Sequence, residues 1–127
     1  MKPFLFVAGL LHAGFLFAEM FPWSNPYLLR RVSPNFLGAA SFSVCELRLV
    51  SLIVHNAGIY NGIVAGGLFW AASGKGSLDV ARVMLIGAVV AGVFGAATIS
   101  PLTAVQALVG IVGLALLWKR AYKYGDK

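Results

Sequence analysis

Four long apolar runs dominate the chain, at residues 4–21, 49–72, 80–99 and 102–118. None carries the polar stripe every three or four residues that a water-facing helix shows, so each reads as apolar on all sides. Their lengths are close to the roughly 20 residues that an α-helix needs to cross the hydrocarbon core. The pattern therefore predicts four transmembrane helices. Their ends are marked by residues that favour the membrane interface or break helices. Pro22-Trp23 follows the first run, Phe69-Trp70 closes the second, and Trp118 closes the fourth. Ser73-Gly74-Lys75-Gly76-Ser77 is a polar turn, and Ser100-Pro101 interrupts the last two runs so briefly that they must form an antiparallel hairpin. A basic start before an apolar run also suits a secretory signal. The run is longer than a signal core, and no small-x-small cleavage site follows it, so a retained span is expected.

The longest connection, residues 22–48, contains Pro22, Pro26 and Pro34, with Arg30-Arg31 set among Tyr27, Leu28, Leu29, Val32 and Phe36. Apolar residues alternating with arginines suit a segment lying on the membrane surface. Ser33-Pro34 has the form of a helix start, with a serine cap and proline in the first turn. A short interfacial helix is expected there. Gly58, Gly62 and Gly66 recur every four residues in the second run, as do Ala88, Gly92 and Ala96 in the third. Such rows let membrane helices approach closely.

Composition agrees with the pattern. Of 127 residues, 60% are hydrophobic and 11% charged, with a mean hydropathy of +0.87. A soluble domain of this size needs far more polar surface. The expected fold is all-α, an integral membrane four-helix transmembrane bundle forming a single domain over residues 1–127. The net charge of +6 is not a nucleic-acid signal, because the ten Lys and Arg residues sit at the ends of the runs and form no base-reading motif. Cys45 is the only cysteine, which excludes an internal disulfide and a two-thiol redox or zinc motif. With four spans both termini share a side. Seven basic residues fall there (Lys2, Lys75, Arg82, Lys119, Arg120, Lys123, Lys127) against three opposite (Arg30, Arg31, Arg48). The positive-inside rule then predicts a multi-pass protein of the cytoplasmic membrane with both termini cytoplasmic.

Two titratable residues, His12 and Glu19, interrupt the first run seven positions apart, which returns a helix to within about 20° of the same face. An ionisable side chain inside a membrane span costs at least ~2.5 kcal/mol, so it is a functional candidate. With the termini inside, Glu19 lies near the outer end of the first span and His12 roughly 10 Å deeper. His55, Asn56, Tyr60 and Asn61 fall in the outer half or middle of the second span, Thr98 at the outer end of the third, and Gln106 about one turn inside the fourth. A polar pocket in the outer half of the bundle is therefore expected. Glu19 and His12 are its candidate acid/base groups, too far apart on one helix face for direct contact, so a water or substrate would bridge them. Trp23, Asn56, Tyr60, Asn61, Thr98 and Gln106 are its candidate ligand-binding groups. His55 is expected to be structural. The structural alternative for Glu19 is a carboxylate satisfied by Asn56 or Gln106, or one that reaches the headgroup region near Trp23. No His or carboxylate pair at i, i+3 or i, i+4 supports a metal, and neither metal nor cofactor is expected.

Several of these residues carry a resemblance. His12 with Glu19-Met20-Phe21 and Trp23, then Asn56-Ala57-Gly58-Ile59-Tyr60-Asn61-Gly62, then Ala91-Gly92-Val93-Phe94-Gly95-Ala96-Ala97-Thr98, and Gln106 together resemble a family of small four-span bacterial and fungal membrane proteins catalogued as domain of unknown function thirteen-hundred-four. The family usually has glutamine where this chain has Ala57, so one polar contact is absent here. The resemblance implies the four-span architecture and this set of motif residues; some members carry an epimerase label. A weaker similarity is to small multidrug exporters, which also have four short spans and a glutamate on the first. Theirs lies nearer mid-membrane than Glu19, and the Asn-Gly motif of the second span is foreign to them.

The expected function is binding, with isomerase-like acid/base conversion, of a small hydrophobic or lipid-like molecule entering from the bilayer. The alternatives are a homodimeric proton-coupled exporter of hydrophobic solutes and a structural subunit of a membrane complex. The partners expected are the lipid bilayer and the hydrophobic ligand, with no nucleic acid.

Overall fold

A computed structural model describes residues 1–21, 43–98 and 101–124. Among these residues the ordered elements are helical. They are α1 (Lys2–Met20), α2 (Val44–Ser73), α3 (Leu78–Thr98) and α4 (Ala104–Tyr124), with a single 3₁₀ turn at Pro101–Thr103 leading into α4. The chain is an all-α protein whose four helices are long and apolar enough to cross a membrane. Large apolar side chains are exposed on every one of them, including Phe17 on α1, Ile63 on α2, Val90 on α3 and Leu108 on α4. In water that surface would drive aggregation, whereas in a bilayer it meets hydrocarbon. This is a multi-pass membrane protein. The expected interfacial helix, and Trp23, lie outside the described residues.

The helix ends follow local chemistry. α2 begins at Val44, five residues before the expected Leu49, because Ser43 and Glu46 form a capping box. Ser43 donates to Glu46 Oε2 through its backbone N–H (2.7 Å) and its hydroxyl (2.6 Å), while the Glu46 N–H donates to Ser43 Oγ at 3.3 Å. At 30 residues, α2 is about 45 Å long, well beyond the roughly 30 Å hydrocarbon core. It stops at Gly74, whose φ of 84° is a left-handed conformation. The Gly74 N–H there donates to the Ala71 carbonyl at 3.2 Å. The Ser77 hydroxyl then accepts from the Val80 N–H at 3.3 Å and starts α3. α4 runs to Tyr124, past Trp118, so its basic end is still helical.

The chain divides into two compact units, Met1–His12 with Val64–Lys127, and Ala13–Ile63. The first contains segments of all four helices around a small core. Leu5 and Ala8 of α1, Leu68 and Ala71 of α2, Ala81 and Leu85 of α3, and Leu117 of α4 are all buried there. Lipid is as apolar as leucine, so close packing rather than escape from water must hold these helices together. α3 and α4 accordingly meet backbone to backbone. A Cβ added to Gly92 would collide with the backbone nitrogen of Ala107, and one on Gly110 would lie 2.7 Å from the Leu85 carbonyl. On the α2 side of the same unit, Gly67 is covered by Met84.

In the second unit the last turns of α1 lie against α2. Leu16 covers Gly62, with 3.4 Å between its Cδ2 and a Cβ position on the glycine, and Glu19 and Met20 cover Gly58 at 3.2 Å. Phe17 and Phe21 stack with centroids 4.2 Å apart. The expected glycine row of α2 is thus used at two positions. Among the described residues Gly66 meets nothing within 4 Å, and the packed glycine near it is Gly67.

A carboxylate–amide pair between α1 and α2

The register of α1 on α2 follows from two matched steps. Leu16, Glu19 and Met20 are spaced i, i+3, i+4 and share one face of α1, as do Gly58, Asn61 and Gly62 on α2. Because the glycines offer no side chain, the backbones come close enough for short polar groups to meet across the seam. The Asn61 Nδ2 donates to Glu19 Oε2 at 2.8 Å, in a half-buried setting. A carboxyl oxygen without a proton only accepts, so the amide turns its nitrogen toward Oε2. The bond fixes where Glu19 points. The partner is Asn61, and not the Asn56 or Gln106 of the structural alternative.

The other sequence-predicted residues are distributed as follows. Asn56 is exposed, and so is Tyr60, at 61%. Both lie on the side of α2 that carries Ile59 and Ile63, away from the Gly58–Asn61–Gly62 face. His12 and Gln106 are the buried polar side chains among the described residues, at 1% and 4% exposure, and both belong to the first unit. Thr98 is exposed and its hydroxyl donates to the Phe94 carbonyl at 2.7 Å, one turn back on α3. Glu19 and Asn61 are therefore the predicted site residues joined by a hydrogen bond in the second unit.

His55 adds a further observation. His55 is half-buried, and its Nε2 is enclosed without a hydrogen-bond partner among the described residues. Its signal was available in the spacing: 55, 58 and 62 step by three and four, so His55 lies one turn before Gly58 on the face that meets α1. Asn56 is rotated 100° from it. An imidazole nitrogen hidden from solvent in this way is costly unless a partner or ligand satisfies it.

Comparison with known proteins gives one match. Residues 6–118 fit the family described as Protein of unknown function (DUF1304). The chain belongs to this family. The match reaches into all four helices, and Glu19, His55 and Asn61 lie inside it. No curated protein and no solved structure matches the chain.

Proposed function

We propose that α1 and α2 carry a binding site for a small hydrophobic or lipid-like molecule that bears a hydrogen-bond donor, with Glu19 as its acceptor. The observation behind this reading is the Glu19–Asn61 bond, in which a carboxyl group on a membrane helix is held, among the described residues, by a neutral donor. A neutral amide orients the carboxylate but brings no opposite charge. An ionisable group in a span costs at least ~2.5 kcal/mol, and such groups mark ligand and proton pathways more often than they serve packing. In the proposal Asn61 positions Glu19 through Oε2, and Oε1 is the oxygen offered to the ligand. His55 Nε2 supplies a second polar contact. Asn56 and Tyr60 face away from Gly58, Asn61 and Gly62 and take no part in it. The proposal rests on this unit alone, so His12, Thr98 and Gln106 carry no part of it. We also propose that the protein sits in the cytoplasmic membrane with both termini inside, from the seven-to-three distribution of basic residues.

Mass spectrometry of the molecules that co-purify in mild detergent tests the site. A lipid-like species present with wild type, depleted in Glu19→Gln and reduced in Asn61→Ala supports the reading. The same species at the same level in all three overturns it. If the wild type alters the species chemically and Glu19→Gln does not, the reading extends to acid/base conversion. Proton release on adding the species, without chemical change, would move it toward export.

A further inference from the structure

The structure points to a second site of different chemistry, on the α3–α4 hairpin. We propose that the groove between Arg82 and Ile86 of α3 and Leu114, Leu117, Trp118 and Ala121 of α4 binds one anionic phospholipid, phosphate on Arg82 and acyl chain along the apolar floor. The groove has a volume of about 330 Å³, at the small end of the range for ligand pockets. Its polarity has a direction. Arg82 and Ala121 lie near the start of α3 and the end of α4, Ile86 is one turn further into α3, and Leu114 two turns further into α4. The mouth is therefore cationic and the depth aliphatic, which is the gradient of a phospholipid. Trp118, 77% exposed, sits at the mouth, where an indole favours the headgroup level. The small side chain of Ala121 leaves the entrance open.

Charge selects the headgroup. Lys75, Arg82, Lys119 and Arg120 gather at this end of the hairpin, and Asp79 is the acid among the described residues there. Asp79 accepts one bond from Arg82 Nη1, at 2.6 Å. A guanidinium has five N–H donors in a planar fork, so this bond aims Arg82 without exhausting it. Basic pockets between membrane helices on the cytoplasmic side favour acidic headgroups.

Native mass spectrometry of the detergent-purified protein, with phosphatidylglycerol or phosphatidylcholine of identical chains, tests this. Wild type should retain the anionic lipid at least fivefold better. Arg82→Gln should abolish that preference, and Arg82→Lys should restore part of it. Ala121→Trp, which fills the mouth and leaves every charge in place, should lose anionic lipid as Arg82→Gln does. Lys119→Gln, a charge at the same end that does not line the groove, should keep most of the preference. Equal losses from Lys119→Gln and Arg82→Gln would mean diffuse attraction, worth about fivefold per basic residue, and would overturn the proposal. So would unchanged binding in Ala121→Trp, or no preference in the wild type. Glu19→Gln should leave this binding untouched, which separates the two sites.

Discussion

Asn61 is the residue whose role depends most on its partner. Its amide donates to the Glu19 carboxyl group at 2.8 Å. Removing the donor leaves the half-buried carboxylate without the amide that orients it. Asn61→Ala should destabilise the protein by about 1–3 kcal/mol, the range for a buried polar group left without its partner. Denaturation in mixed detergent would show it, and a double-mutant cycle with Glu19→Gln should return a coupling above about 0.5 kcal/mol. Additive effects of the two substitutions would mean that the pair contributes nothing to folding. Asn56→Ala, at an exposed position one turn and a half away on α2, should change stability by no more than about 0.5 kcal/mol in the same assay.

At the scale of the helix, small residues and caps decide the outcome. Gly92 on α3 faces the backbone of Ala107 on α4 with no room for a side chain. Gly92→Val should force the hairpin apart and cost about 1–3 kcal/mol, the usual range for overpacking. Gly66 faces open space, so Gly66→Ala should be neutral or stabilise α2 by up to about 1 kcal/mol through helix propensity. Thermal melts of the two variants should move in opposite directions or leave only Gly92→Val lowered; similar drops in both would mean that the glycine contacts are misassigned. The start of α2 offers a third test. Ser43→Ala removes both hydroxyl bonds of the capping box and should cost about 1 kcal/mol, read as lost helicity and faster amide exchange over residues 44–47. This box was legible as Ser43-x-x-Glu46 ahead of an apolar run, yet apolarity alone places the helix start at Leu49. Hydropathy locates the membrane, whereas caps locate the helix, and here the two differ by five residues.

For the whole molecule, orientation is the property open to the simplest test. Cys45 is the only cysteine and is exposed in the first turn of α2. With both termini cytoplasmic, it should react with a membrane-impermeant maleimide in intact cells. A Cys45→Ser, Ser77→Cys variant should react only after permeabilisation, and the reverse pattern would invert the topology. The number, type and approximate limits of the spans were available from the sequence because they depend on a local quantity, the length of an apolar run against the thickness of the hydrocarbon core. The candidate site was legible in part: Glu19 and Asn61 were both singled out, but not as partners. Which residues pair depends on how each helix is rotated about its axis. A helix that is apolar on all sides has no hydrophobic face to announce that rotation. Only packing decided it, by setting Gly58 and Gly62 against Glu19, Met20 and Leu16. That placement turned Asn61 and His55 toward the α1-facing side and left Asn56 and Tyr60 exposed.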